Sequence, residues 1–112
     1  MSAQALKGHL DGMLLAALDD GPRHGYAVME ALRVGSGGRF DLPTGTIYPA
    51  LRRLERAGFV RATWSEEGGR RRRVYELTSS GRRTLEAERH AWREFSAAVT
   101  ALLGPRQRPV TP

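Results

Sequence analysis

The stretch LPTGTIYPALRRLERAG, from Leu42 to Gly58, decides the fold of this chain. Its apolar residues Ile47, Leu51 and Leu54 are spaced i, i+4 and i+7, so a helix formed here buries them on one face. The residues between them lie on the remaining faces, where a partner can reach them. This helix is the predicted recognition element, and its outward residues are Tyr48, Arg52, Arg53 and Arg56.

The two ends of this helix carry their own signals. Thr44 or Thr46 is expected to cap its start, because hydroxyl oxygens accept hydrogen bonds from the unpaired N–H groups there. Pro49 fits the helix only in the first turn, where N–H groups have no partner in any case. Gly58 is expected to end the helix in the position after its cap.

Downstream of the helix, the apolar period changes to two, which predicts a β-hairpin. Val60, Ala62 and Trp64 alternate with polar residues, and Val74 to Leu77 form the return strand. Glu66 to Arg70 supply the turn. The tip and the return strand carry four consecutive arginines, which are Arg70, Arg71, Arg72 and Arg73.

Upstream of the same stretch, the sequence predicts two more helices. The spacing from about Ala5 to Asp19 indicates an amphipathic helix ended by Gly21-Pro22, and Tyr26 to Val34 indicate a shorter helix closed by Gly35 to Gly38. Three helices followed by a basic hairpin are typical of a winged helix-turn-helix. In that fold the third helix enters the DNA major groove, and the hairpin wing reaches the flanking groove or backbone.

The C-terminal part predicts a long helix from about Ser80 to Leu103, capped by Thr78 or Ser79. Its apolar residues fit heptad a and d positions, with Glu88 as the exception. The helix extends beyond a compact domain, so its distal apolar residues need cover from a second copy. In the alternative, the helix folds back along the first helix of its own chain, and the two arrangements are compatible. The predicted dimer contacts are Leu6, Leu10, Leu85, Trp92, Phe95, Val99 and Leu102.

These elements together predict one mainly α fold with a β-hairpin wing and a long C-terminal dimerisation helix. Residues 1–78 form the winged helix-turn-helix domain and residues 79–103 the dimerisation helix. Residues 104–112 hold three prolines and no apolar period, so they are expected to be a disordered tail.

The charge is concentrated where this fold places its recognition elements. The chain has a formal net charge of +6, and residues 43–83 hold ten basic and four acidic residues. Seventeen of the 18 basic residues are arginine, whose planar guanidinium pairs with phosphate and with guanine through two hydrogen bonds. Double-stranded DNA is the partner that this pattern favours.

Other functional classes are excluded by composition. The chain has no cysteine, which rules out disulfides, thiolate zinc sites and cysteine nucleophiles. His9, His24 and His90 lack metal-ligand spacing, and no catalytic constellation is present, so neither an enzyme nor a cofactor is expected. The longest apolar run, Met13 to Leu18, is far shorter than the ~20 residues of a membrane span. A cytoplasmic protein that does not enter membranes is therefore expected.

From Leu6 to Leu103 the chain resembles the PadR family of bacterial transcriptional regulators, in particular its short form with a single C-terminal helix. Three patterns carry the resemblance: GPRHGY at Gly21–Tyr26, LPTGTIYPAL at Leu42–Leu51 and YELTSSG at Tyr75–Gly81. Val74 departs from the pattern, because many relatives carry a second aromatic residue beside Tyr75.

The resemblance implies a DNA-binding homodimer, usually a repressor and often released by a small molecule. It implies that Thr46 and Tyr48 lie where the third helix meets the operator, and that Gly69 to Arg72 form the wing tip. Some short members hold flat aromatic ligands between paired tryptophans of their last helices, and Trp92 lies at the offset expected for such a tryptophan. A small aromatic ligand at the dimer seam is therefore an expected partner.

We therefore predict a ligand-responsive homodimeric repressor that binds a pseudo-palindromic operator. The alternatives are a nucleic-acid-binding protein without sequence specificity and a winged-helix module that binds another protein. The predicted DNA-contacting residues are Tyr26, Thr44, Thr46, Tyr48, Arg52, Arg53, Arg56, Arg70, Arg71 and Arg72.

Overall fold

The computed structural model describes Leu6 and residues 8–105 of the chain. Within residues 8–105, helices and strands follow in the order α1 (Leu10–Ala17), β1 (Arg23–His24), α2 (Gly25–Gly35), α3 (Thr44–Arg56), β2 (Val60–Glu67), β3 (Arg70–Leu77) and α4 (Ser79–Leu103). The expected fold class, mainly helical with a β-hairpin wing and a long C-terminal helix, is confirmed.

Helix α1 is shorter than the sequence predicted. The expected helix ran from about Ala5 to Asp19; residues 1–5 and 7 lie outside the described residues, and α1 itself runs from Leu10 to Ala17. Gly8 has a φ of +87°, a conformation that glycine adopts without steric cost. The backbone therefore turns just before α1 begins.

Helix α3 starts differently from the expectation. The residue before it is Pro43, whose carbonyl accepts a hydrogen bond from the N–H of Thr46 at 3.0 Å. Neither Thr44 nor Thr46 caps the helix with its side chain, so that prediction is wrong. Pro49 lies in the second turn rather than the first. The carbonyl left without a partner by its missing N–H belongs to Gly45, an exposed residue that water can reach.

The C-terminal end of α3 matches the prediction. Gly58 has a φ of +80°, and its N–H donates to the carbonyl of Glu55 at 3.0 Å. The N–H of Phe59 donates to the carbonyl of Leu54 at 3.0 Å. This pair of bonds is a Schellman motif, in which glycine supplies the left-handed residue, and it directs the chain into β2.

The sheet is antiparallel, with the strand order β1-β3-β2. The hairpin turn is shorter than the expected Glu66–Arg70, because Gly68 and Gly69 alone form it with φ values of +58° and +78°, as in a type I′ turn. The return strand consequently begins at Arg70 instead of Val74. Strand β1 was not predicted, since two residues are too few to show a period.

A single apolar cluster joins the helices to the base of the hairpin. The predicted inward residues of α3 lie in it, and Tyr75 of β3 is 5% exposed. Burial raises the pKa of Tyr75, because desolvation disfavours the phenolate. The buried members are Leu14, Leu15, Leu18, Val28, Leu32, Ile47, Ala50, Leu51, Leu54, Val60, Tyr75, Leu77 and Leu85.

The start of α4 is fastened to the end of α3. Thr78 caps α4, as one of the two expected caps, by accepting a hydrogen bond from the N–H of Gly81 at 3.0 Å. The hydroxyl of Thr78 donates to the carbonyl of Gly58 at 2.6 Å, and its N–H donates to the carbonyl of Phe59 at 3.1 Å. One threonine thus joins the hairpin, α3 and α4.

The first half of α4 packs on its own chain. Leu85 is 2% exposed and belongs to the apolar cluster, which corrects the prediction that it contacts a second subunit. Arg89 donates to Asp19 at 2.9 Å and holds α4 against the end of α1. The predicted boundary between residues 78 and 79 coincides with the start of α4, although packing crosses it.

The predicted tail, residues 104–112, lies outside the described residues from residue 106 onward. In the part of the chain that the structure describes, each helix is too short or too polar to span a bilayer.

Candidate nucleic-acid interface

Helix α3 carries three arginines outside its buried face, and all three are exposed. Arg53 forms an ion pair with Asp11 of α1, so part of its charge is compensated within the chain. Among the residues that the structure describes, no carboxylate lies within 4.0 Å of Arg52 or Arg56. Arg52 and Arg56 are therefore the α3 arginines best placed for an external anion.

Tyr48 is half-buried and packs on the start of α2. A methyl group on Gly25 would lie within 2.6 Å of Cζ and Oη of Tyr48, so only glycine lets the ring come this close. The sequence motifs HGY and GTIYP meet at this contact. Tyr48 therefore has a structural role at the joint between α2 and α3, besides any contact that its exposed part makes.

The other predicted contact residues of the two helices lie near their starts. Tyr26, in the first turn of α2, is 67% exposed. Thr44 is exposed at the first residue of α3, whereas Thr46 is half-buried. Tyr26 follows Gly25 directly, so its backbone lies next to the contact between Gly25 and Tyr48.

The four wing arginines divide between the two faces of the hairpin, because neighbouring strand residues point to opposite faces. Arg71 and Arg73 lie on the face of Trp64, which is directly opposite Arg73 in the register. Arg70 and Arg72 lie on the other face. All four side chains are exposed, so the wing presents positive charge on both sides.

Arg73 connects the wing to α3. Its guanidinium donates to both carboxylate oxygens of Glu55, at 2.8 Å and 3.1 Å. Glu55 is therefore engaged by the wing, and among the described residues it forms no ion pair with the arginines of its own helix. The ion pair fixes where the hairpin stands relative to the recognition face of α3.

His24 connects the other face of the wing to α2. Its Nδ1 accepts a hydrogen bond from the N–H of Ala27 at 3.3 Å, and its Nε2 lies 3.1 Å from Nη1 of Arg72. A neutral imidazole has one acceptor nitrogen, whereas both approaching groups are donors. Only one of these two contacts is a hydrogen bond in a neutral His24, and the tautomer decides which one. A guanidinium has five N–H donors, so Arg72 can bind another acceptor in either case.

Trp64 is the functional candidate that the sequence analysis missed. Alternation placed it on the same strand face as Val60 and Ala62, but it lies beyond the edge of the apolar cluster and is 59% exposed. The guanidinium carbons of Arg71 and Arg73 lie 4.6 Å and 5.7 Å from the centre of its ring system. The sequence signal that could have identified it is its position. Trp64 lies near the hairpin turn and opposite the arginine run of β3, where the helices no longer cover the strands.

The second half of α4 carries exposed apolar residues on the predicted dimer face. Trp92 is 53% exposed, Phe95 55% and Leu102 84%, while Val99 is half-buried. Leu6 and Leu10, near the start of the described chain, are also half-buried. Trp92, Phe95 and Leu102 form an apolar stripe that the protomer itself leaves uncovered, whereas Leu10 packs partly on the apolar cluster.

A cavity of about 480 Å³ opens between α1 and α4 beside Trp92. Leu6, Met13, Phe40 and Trp92 supply apolar lining, and the ring of His9 meets Trp92 edge-on with centroids 5.3 Å apart. Trp92 therefore borders both the cavity and the apolar stripe.

Across the described residues, no three His, Asp or Glu side chains come together in a group that could hold a metal ion.

Comparison with known proteins places this geometry in context. Residues 14–87 match the transcriptional regulator PadR-like family. Over 87 residues the chain is 45% identical to an uncharacterized 37.1 kDa protein of transposon TN4556 from Streptomyces fradiae, a match that covers 78% of this chain and 24% of that protein. The chain thus spans about a quarter of the length of this relative.

Two solved structures extend the comparison. A PadR-like transcriptional regulator from Bacillus cereus strain ATCC 14579 is 28% identical with a TM-score of 0.81, over 93% of this chain and 100% of that chain. Bacillus subtilis PadR in complex with operator DNA has a TM-score of 0.64 at 24% identity, over 94% of this chain and 52% of that chain. The second likeness is one of fold.

Proposed function

Because the chain belongs to the PadR-like family of transcriptional regulators, we propose that it is a homodimeric repressor that binds a pseudo-palindromic operator and responds to a small aromatic ligand. One observation carries the proposal. Helix α3 and the wing, joined by the pair between Arg73 and Glu55, present arginines with no carboxylate within 4.0 Å in the described chain, which are Arg52, Arg56, Arg70 and Arg71.

This arrangement suits the two surfaces of a DNA duplex. A helix fits the major groove, where arginine pairs with guanine, and a β-hairpin reaches the neighbouring backbone. Bacillus subtilis PadR, which has this fold, is known in complex with operator DNA. We place α3 in the major groove and the wing arginines on the flanking phosphates.

The apolar stripe on α4 supports the homodimer. The stripe runs through Trp92, Phe95 and Leu102. The molecule is 72 Å long but only 28 Å and 23 Å across, so the second half of α4 extends away from the rest of the described chain, which does not pack over these residues. Large exposed apolar patches are uncommon on monomers, and a two-fold dimer covers the same patch on both copies. The two α3 helices would then enter successive major grooves about 34 Å apart.

The cavity beside Trp92 supports the ligand-responsive part of the proposal. Its lining is mainly apolar, and an indole offers a flat face to a planar ring. A ligand lowers operator affinity if it binds more tightly to a dimer conformation that cannot bind DNA, because it then shifts the population toward that conformation. The check is quenching of Trp92 fluorescence by planar aromatic compounds in a Trp64→Phe background. If no compound both quenches and releases operator DNA, the ligand part of the proposal is wrong.

Replacing Arg52 by alanine tests the sequence-specific part. We expect operator affinity to fall about 5–150-fold for each of the two half-sites, because every subunit loses one base contact of about 1–3 kcal/mol, while affinity for random duplex falls much less. The measurement is fluorescence anisotropy with both duplexes at one salt concentration. Arg93→Ala removes the same charge from the exposed distal half of α4, and it should leave operator affinity nearly unchanged.

Two results would replace this proposal with an alternative. Equal losses on operator and random duplex for Arg52→Ala would favour a nucleic-acid-binding protein that does not read sequence. No binding of the unchanged protein to any duplex at low salt, where electrostatic binding is strongest, would favour a winged-helix module for a protein partner.

A further inference from the structure

Trp64 occupies an unusual place for a large aromatic residue. It lies on the face of the hairpin that is buried at Tyr75 and Leu77, but nearer the tip, where the apolar cluster has ended. It is 59% exposed, so covering its own area contributes little to folding. Its ring instead contacts charged side chains, those of Arg71 and Arg73.

The indole ring is a platform for arginine. Arg71 places its guanidinium carbon 4.6 Å from the centre of the ring system, well inside the range of a cation–π interaction. The residue directly opposite Arg71 in the register is Glu66. Even so, no carboxylate of the described chain lies within 4.0 Å of Arg71, so its described partner is the ring.

This stack leaves the hydrogen-bonding groups of Arg71 unused. A guanidinium that lies on an aromatic face keeps its N–H groups in its own plane, available to a phosphate. The stack also restricts a side chain that otherwise loses considerable rotamer freedom when it binds. Arg71 is thus held over the ring, without an ion pair in the described chain, before any partner arrives.

The platform is itself tied to the recognition helix. Arg73 is 5.7 Å from the same ring and is held by both oxygens of Glu55 on α3. A continuous set of contacts therefore runs from Glu55 through Arg73 and Trp64 to Arg71. This set of contacts fixes the position of Arg71 relative to α3, the helix proposed to contact the bases.

We infer that Trp64 is a positioning residue of the DNA interface, which holds the guanidinium of Arg71 in place for a backbone phosphate beside the groove that α3 enters. This inference rests on the proposed function. The contact between Arg71 and Trp64 persists in the DNA complex. The side-chain entropy of Arg71 is therefore lost when the protein folds, and DNA binding does not have to order this side chain again. Trp64 itself makes no contact with DNA.

Operator affinity of Trp64→Leu, Trp64→Phe, Arg71→Ala and the double variant tests this inference. The free energy of an exposed cation–π pair corresponds to about a 2–5-fold change in affinity. Because a dimer has two wings, Trp64→Leu should lower operator affinity about 4–25-fold. The loss should be equal on all duplexes, with an unchanged salt slope, and Trp64→Phe should recover most of it. Arg71→Ala should reduce the salt slope by about one for each wing.

The double variant decides between positioning and direct contact. In the Arg71→Ala background, Trp64→Leu should have almost no further effect, because its role acts through Arg71. A full loss in that background would overturn the inference, since Trp64 would then touch DNA itself. A gain in affinity for Trp64→Leu would also overturn it, since the ring would be withholding Arg71 from DNA. Thr63→Ala, on the opposite face of the same strand, is the matched control.

A measurement without DNA separates this inference from the proposed function. The ring current of Trp64 should shift the side-chain proton resonances of Arg71 upfield in the free protein, and Trp64→Leu should abolish that shift. Absence of the shift in the unchanged protein would overturn the inference whatever the protein binds. If the shift is present but the unchanged protein binds no duplex, the proposed function fails and the positioning role fails with it. If operator binds but the double variant shows independent losses, the positioning role alone fails.

Discussion

Replacing Phe95 and Leu102 by glutamate is expected to convert the protein to monomers and to lower operator affinity about 10²–10⁴-fold, the usual gain from linking two binding modules. Both side chains are more than half exposed in the protomer, so the substitutions should leave the fold intact. At a two-fold dimer interface the added carboxylates would face each other or the apolar surface of the partner, and burying them there raises the free energy of the dimer. Light scattering reports the mass, and anisotropy reports affinity for the duplex.

The matched control for this prediction uses the same helix. Glutamates at His90 and Ala97, both exposed, occupy heptad positions away from the a and d stripe, and this pair should stay dimeric and bind normally. The helical circular dichroism signal should be the same for both double variants. Monomers with unchanged operator affinity would contradict the dimeric operator complex, and a dimer that survives both glutamates would place the interface elsewhere.

Replacing Gly81 by alanine is expected to cause the largest loss of stability, about 3 kcal/mol or more, because overpacking against backbone is relieved only by moving it. The added methyl group would overlap the carbonyl group of Phe59. That carbonyl already accepts the N–H of Thr78, so moving it disturbs the junction between α3 and α4. Thermal unfolding should show a Tm lower by about 10–20 °C.

Gly35→Ala is the control for this stability prediction. Gly35 is the last residue of α2, and nothing lies within 4 Å of the position that a methyl group would take. Alanine there should be neutral or stabilising by about 0.4–1 kcal/mol, through the lower entropy of the unfolded chain. If Gly81→Ala and Gly35→Ala unfold at the same temperature, the described contact between α4 and Phe59 is wrong.

Local patterns in the sequence were sufficient to predict most of the architecture. The i, i+4 and i+7 spacing of Ile47, Leu51 and Leu54 identified the buried face of α3, since helix geometry alone determines it. Gly58 marked the end of that helix for an equally local reason, the left-handed residue of a Schellman motif. The start of α3 was misjudged because the Pro43 carbonyl, not a threonine, organises the first turn.

The features that were missed depend on contacts between distant parts of the chain. Arg53 is partly compensated by Asp11, 42 positions away, and Leu85 is buried because α4 packs back on the core. Neither contact leaves a periodic trace. Trp64 was predicted only to share a strand face with Val60 and Ala62, because alternation gives the face of a strand but not the point where its neighbours end. The proposed recognition residues therefore come from the sequence and stay a prediction, whereas identifying the arginines without an intramolecular ion pair required the structure.

Selection of bound duplexes from fragmented DNA of the source genome, at roughly physiological salt, is the decisive experiment for sequence-specific operator binding, because nonspecific binding is weak there. A homodimer that reads sequence through α3 should enrich one inverted-repeat site, with half-sites about one helical turn apart, and Arg52→Ala should lose that enrichment. No enriched sequence, despite binding at low salt, would contradict sequence-specific operator binding and would mean that the basic surface of α3 and the wing holds DNA without reading it.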